Sequence, residues 1–522
     1  MRTLTILGLV LSTVLVVTVL AGNQVLDDTP SSESSVSQQS VRSKKSDDRG
    51  EELSRTYCAS CHVRPEPEHL DKSTWLSKVF PLMRTYMGLD PVDHRERLQH
   101  DVLSFYPAAP MMSEDDWFTV ASWYIDAAPD TMPLPPLPDI ADSTSLFTAE
   151  PLDLGSAPPM VTFTFVDEAT SRLVFGDGIA NALHVHKSDG QRIVSIPMLG
   201  PPSSLSMSKG DWYVTDMAKL LPHDSAAGRL YRIQWKNGNP VANVVLDSLR
   251  RPVHVVMTDI NGDGRDDALI CEYGNLLGRF GWYDMVPGKR PVYHELIGRP
   301  GAIRAEVVDL NGDGKKDIVV QLAQARESIT AFFAKGKGRF EERELLSFPP
   351  SFGSSSFRCL DEDGDGRLDL LVTFGDNGDY DAPPLKPYHG IALYRQTSTA
   401  SFERAWFLPM NGAYGAYMVD FDLDGDNDIL ARGYFPPAPA PAHDLVRFYE
   451  KTTTGWKLST LPQATLGRWL VGTSGDVDGD GDIDILLGNV SMGPGVSANS
   501  DMDVWTKPSN SVLLLRNRTR KP

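Results

Sequence analysis

Cysteine is scarce in this chain of 522 residues, and positive charge is in deficit. Four cysteines exclude a disulfide-stapled scaffold. The 50 Lys and Arg stand against 69 Asp and Glu, a formal net charge of −19, and that balance excludes a nucleic-acid-binding surface, which needs clustered basic side chains. Cations are the expected partners. One long apolar run is present, Leu4 to Ala21 in "MRTLTILGLVLSTVLVVTVLA", so a membrane is reached only through the N-terminal segment. With 43 Gly and 38 Pro, the rest is rich in turns.

Residues 1–21 read as an export signal, either cleaved after Ala21 or kept as an inner-membrane anchor, which places the remainder in the periplasm or otherwise outside the cytoplasm. Residues 22–47 are Ser-rich and charged, with too little apolar surface to offset the entropy of ordering, and read as a tether. From 48 to 128 apolar residues recur at helical spacing. In "SEDDWFTVASWYIDAAP", Trp117, Val120, Ala121 and Tyr124 share one face, and Ser113 with Asp116 forms a capping box. Residues 129–149 form a Pro-rich linker, opened by five prolines in "APDTMPLPPLPDIADS". Beyond it, short alternating apolar runs predict strands from 150 to 522.

An internal repeat governs those strands. Five loops of the form D-x-[DN]-x-D-G-x-x-D start at Asp259, Asp309, Asp361, Asp420 and Asp476, at offsets of 50, 52, 59 and 56 residues. That period suits one four-stranded propeller blade per repeat. Two further blades without the loop fit the segment before Arg250, so the fold class is an all-β propeller of about seven blades behind a small all-α domain.

Each loop sets oxygen side chains at positions 1, 3, 5 and 9. They are Asp259, Asn261, Asp263 and Asp267; Asp309, Asn311, Asp313 and Asp317; Asp361, Asp363, Asp365 and Asp369; Asp420, Asp422, Asp424 and Asp428; and Asp476, Asp478, Asp480 and Asp484. Clustered carboxylates repel unless a hard cation joins them, and this donor set suits Ca2+, about five ions in all. A helix-loop-helix calcium site would need Glu at position 12, where Ile270, Val320, Val372, Ala431 and Leu487 stand. The loops join strands. They resemble the FG-GAP/VCBS repeats of integrin-alpha-like β-propellers, which implies calcium at the blade rim and a propeller that binds partners.

"RTYCASCHVRPEPEHL" contains Cys58-Ala59-Ser60-Cys61-His62. In C-x-x-C-H the two thiols add to the haem vinyl groups and the His ligates iron from one face, which predicts one covalent haem c on residues 48–128. No second cysteine pair stands near for a zinc site, and Cys271 and Cys359 read as unreactive strand thiols. For the sixth iron ligand Met83 is favoured over Met111, with Met87 and Met112 behind, and His69, His94 and His100 are the bis-His alternatives. The whole chain resembles bacterial exported proteins that join a short cytochrome c to such a propeller, and Met83 lies in surroundings similar to their "LPxM" segment. The expected function is one-electron transfer, with the propeller docking a redox partner protein, a carbohydrate or another protein. The alternatives are a cytochrome-linked dehydrogenase acting on a sugar or alcohol, and an adhesive or carbohydrate-binding propeller.

Overall fold

The computed structural model describes residues 49–91, 106–136, 139–324, 326–380, 383–493, 495 and 501–520. The export signal, the tether to residue 47, and His94 and His100 lie outside the described residues.

Seven four-stranded antiparallel sheets hold the described strands, β1 (Phe147–Leu152) to β28 (Val512–Asn517). The innermost strands are β2 (Val161–Asp167), β6 (Pro202–Ser208), β10 (Pro252–Thr258), β14 (Ala302–Val308), β18 (Ser354–Leu360), β22 (Ala413–Val419) and β26 (Trp469–Gly475). Each touches the next, and β26 touches β2, which closes the ring. The propeller therefore has seven blades, with the two loop-free ones between Val161 and Arg250.

The blade that carries the fifth loop takes one strand from the start of the propeller. Its outermost strand is β1, paired with β28 from Phe147↔Asn517 to Leu152↔Val512. Pairing the start of the propeller with its end closes the ring by backbone hydrogen bonds and leaves no open seam.

The second strand of each loop-bearing blade explains the apolar runs that follow the loops. "DALICE", "DIVVQL", "DLLVTF", "DILARG" and "DILLGN" are buried at all six positions, because both faces of these strands pack on neighbouring blades. Leu269, Cys271 and Phe280 of one blade meet Ala305, Ile318 and Val320 of the next. Cys271 and Cys359 are free thiols.

The N-terminal segment is helical over 49–57, 72–86 and Glu114–Ala127. Ser113 caps the last helix, accepting the Asp116 N–H at 3.1 Å, and Trp117, Val120 and Tyr124 form its buried stripe. They pack on Leu70, Trp75, Phe80, Met87 and Met112. Burying each such side chain contributes about 1.5–3 kcal/mol. Among the described residues no helix is long and apolar enough to cross a membrane.

Candidate haem and cation sites

A single turn of 3-10 helix, Cys58–Ser60, carries the N-terminal motif. Burial pushes the Cys58 thiol up to about 11, so this is not the activated thiolate a redox Cys-x-x-Cys requires. Cys61 is exposed. His62 Nδ1 lies 2.9 Å from the Val63 carbonyl oxygen and donates to it, which leaves the lone pair on Nε2. Burial lowers the pKa of this imidazole, so the ring is neutral at pH 7. A neutral ring with one nitrogen tied to a carbonyl is the arrangement of a metal-ligating histidine. The residues thus fit a covalently held haem: two thiols for the ring substituents and one nitrogen for iron.

Of the methionines, Met83 packs half-buried on the same apolar cluster as Cys58, Met87 and Met112 are buried in it, and Met111 is 39% exposed. His69 is committed to the propeller. Its ring meets Phe352 and Tyr388 edge-on at 5.4 and 5.6 Å, and its carbonyl accepts the Tyr388 hydroxyl at 2.6 Å. No signal in the sequence marked this contact, which joins residues 319 positions apart.

Close to that contact lies a buried charged group that the sequence did not announce. Lys386 donates to the Ser351 carbonyl at 2.8 Å, and Glu327 accepts the Ser354 N–H at 2.8 Å. Burial pushes Glu327 up to about 8, with Asp376 adding to the rise, and pulls Lys386 down to about 8. A carboxyl raised in the fold contributes stability that is complete below its unfolded value of 4.5 and is lost as pH rises toward 8. Denaturant melts at pH 5, 6 and 7 should show wild type losing up to about 1.4 kcal/mol per pH unit relative to Glu327→Gln. Parallel stability profiles for the two proteins would refute this account.

In the five loops the first Asp organises the turn. Asp259 accepts the Gly262 and Gly264 N–H groups at 2.7 and 2.8 Å, and Asp361 and Asp476 hold the corresponding glycines in the same way. Position 4 has positive φ throughout, +81° at Gly262, for example. In the fourth loop Leu423 takes this place at φ +61°, a conformation that costs an L-residue about 1–2 kcal/mol.

Carboxylate oxygens of Asp361, Asp363 and Asp365 lie within 4.8 Å of one another, as do those of Asp420, Asp422 and Asp424, and those of Asp476, Asp478 and Asp484. The ninth residue also has a second task. Asp317 accepts the Leu310 and Ala334 N–H groups at 3.1 and 2.8 Å, and Asp484 accepts those of Val477 and Asn517 at 3.0 and 2.8 Å. It thereby staples the loop to the third strand of its own blade. Asp369 does the same through Glu362 and Gln396.

Position 7 separates the loops electrostatically. Arg265, Lys315 and Arg367 pair there with Asp263, Asp313 and Asp365, whereas the last two loops carry Asp426 and Asp482. Asp478 of the fifth loop still has Arg516 at 3.3 Å. The fourth loop gathers Asp420, Asp422, Asp424, Asp426 and Asp428 with no ion pair among the described residues. Asp426 Oδ1 and Asp428 Oδ2 are buried there without a hydrogen-bond partner. Orphaned carboxylate oxygens beside three clustered Asp side chains fit a divalent cation.

A cavity of about 320 Å³ lies under Leu134 and Pro135 of the linker, lined by Pro387, Met410, Pro437 and His443 among others.

A search of curated proteins found no match. Among solved structures, the crystal structure of RRP9 WD40 repeats aligns with 10% identity and a TM-score of 0.45, covering 72% of this chain and 99% of that one. The crystal structure of BBS1N in complex with ARL6DN, soaked with lead, aligns with 12% identity and a TM-score of 0.42, covering 72% and 98%. The profile of the FG-GAP-like repeat matches residues 309–372, from the first aspartate of the second loop, through the third loop and into the strand that follows it, so this part of the propeller is an FG-GAP-like repeat.

Proposed function

We propose that the chain is an exported electron-transfer protein: the N-terminal helical segment carries one haem c, and a calcium-binding propeller docks the redox partner. The observation that carries this reading is His62, neutral, its Nδ1 tied to Val63 and its Nε2 left as a donor, directly after Cys58-x-x-Cys61. When bound, the haem supplies one-electron chemistry. Cys58 and Cys61 would hold it through thioethers, and His62 would ligate iron. Met83, packed on the cluster that Cys58 also joins, is the better placed of the two methionine candidates, because Met111 faces solvent. His69, Phe352 and Tyr388 fasten the segment to the propeller and set the two at a defined distance. Calcium is assigned to the five loops, most firmly to the fourth, where no basic side chain offsets the carboxylates. Attachment of haem c outside the cytoplasm agrees with residues 1–21 acting as an export signal or anchor.

Expression with c-type maturation machinery tests this. Denaturing gels of wild type should retain haem peroxidase stain, and Cys58→Ala/Cys61→Ala should lose it. Met83→Ala should abolish the weak Met-to-iron charge-transfer band and lower the potential, while Met111→Ala should leave both in place. Wild-type protein without stain would overturn the reading; loss of the band in Met111→Ala alone would move the ligand to Met111.

A further inference from the structure

The innermost strands carry few charged residues, and those few are unbalanced. His254 on β10, Arg304 and Glu306 on β14 and Arg358 on β18 stand at corresponding places, five or three residues before the first Asp of their loops. Arg432 reaches the same wall from the second strand of its blade. A Cβ at Gly415 of β22 would meet its guanidinium at 2.5 Å, and its Nη1 donates across to the Trp469 carbonyl on β26 at 2.9 Å. The remaining charge on these strands, Asp167 at the end of β2, is held by the Thr170 hydroxyl at 2.6 Å in the turn that follows.

Two of these guanidiniums therefore share one carboxylate, and the charge of Arg432 is felt at Arg358 beside them. Arg304 lies 3.0 Å and Arg358 3.5 Å from Glu306 Oε1, while Oε2 is taken by the Cys359 N–H at 2.9 Å. Among the described residues Arg432 has no carboxylate within ion-pair distance, and its Nε is buried without a hydrogen-bond partner. His254 adds no positive charge, since burial and the two nearby arginines keep it neutral. Burial, then Arg304, pulls the Arg358 pKa down, as expected of a cation short of counter-charge. Yet Arg358 keeps 36% and Arg304 26% of side-chain surface open. An inner strand is covered by its own blade and by both neighbouring blades, so this open surface faces the axis of the ring.

We propose that the central channel of the propeller binds a small oxyanion, a carboxylate or a tetrahedral dianion, between Arg304, Arg358 and Arg432. Guanidinium forks match the two-oxygen edge of either anion, and the confined, partly desolvated site strengthens the attraction. Glu306 holds two of the arginines in place and limits affinity by its own charge. The site is separate from the calcium loops and from the haem motif, and it stands or falls independently of both.

The full chain, with calcium saturating and ionic strength fixed by chloride, is titrated with sulfate and, separately, with acetate while its melting temperature is followed. At least one should raise the melting temperature saturably. Arg358→Gln should weaken that response about tenfold or more, and Glu306→Gln, which removes the competing carboxylate and keeps the side chain's shape, should strengthen it about tenfold. Opposite shifts from neighbouring variants are not produced by a merely structural role. No saturable response to either anion in wild type, or a Glu306→Gln protein that binds no more tightly, would overturn the proposal.

Discussion

Chelating the calcium proposed for the loops is expected to lower the melting temperature of the propeller while leaving in place the spectrum of the haem proposed for the helical segment. Eighteen of the twenty candidate ligand positions are Asp, and a cation that binds only the folded loop adds about 2.7 kcal/mol per site at a free concentration of about 100 times Kd. For a unit of this size each kcal/mol moves the midpoint by about 1–1.5 °C, so even one emptied loop is measurable by calorimetry. The loops should not respond equally. Arg265, Lys315 and Arg367 already offset one carboxylate each in the first three, whereas Asp420 to Asp428 has no such partner among the described residues. Asp422→Asn should therefore remove one ion and more of the calcium-dependent stability than Asp363→Asn, whose loop keeps Arg395 3.1 Å from position 363. Elemental analysis showing no calcium, with melts indifferent to chelator, would reduce all five loops to turns.

The second large effect lies away from any proposed site. Arg447 and Asp444 form an ion pair at 2.9 Å whose side chains are 0% and 1% exposed. Each has its remaining partners: Arg447 donates to the Pro409 and His443 carbonyls at 2.7 and 3.0 Å, and Asp444 accepts from Asn411 at 2.9 Å. Arg447→Met leaves a buried carboxylate with one hydrogen-bonding side chain, a loss of about 3–5 kcal/mol and a fall in the melting temperature of about 4–7 °C. Adding Asp444→Asn removes the stranded charge and should return part of that loss. If the single variant melts like wild type, the pair contributes nothing net.

These outcomes divide according to how far along the chain the interacting residues lie. Five nine-residue loops, the Cys58 to His62 motif and the Ser113 cap are local, so their chemistry is written in spacing. The loops also set the blade period, since each ends in a fully buried strand whose apolar run is legible. The missing basic side chain at position 7 could be read from Asp426 and Asp482 standing where Arg265, Lys315 and Arg367 stand in the first three loops; the difference between the last two rests on Arg516, which reaches Asp478 of the fifth from β28.

The tertiary structure alone decided the rest. The pairing of β1 with β28 joins ends of the propeller more than 360 residues apart, and alternating apolar residues in β1 do not say which sheet it joins. His69 against Tyr388, Glu327 near Lys386, and Glu306 between Arg304 and Arg358 depend on which segments stand side by side in the closed ring. Nothing in the local sequence of Arg432 distinguishes it from a surface arginine. Gly415, whose missing side chain lets the guanidinium lie across the inner strand, matters only once the two strands are paired. A repeat encodes its own blade in the order of its residues; what faces the axis is set by the twist of the strands and the closure of the ring.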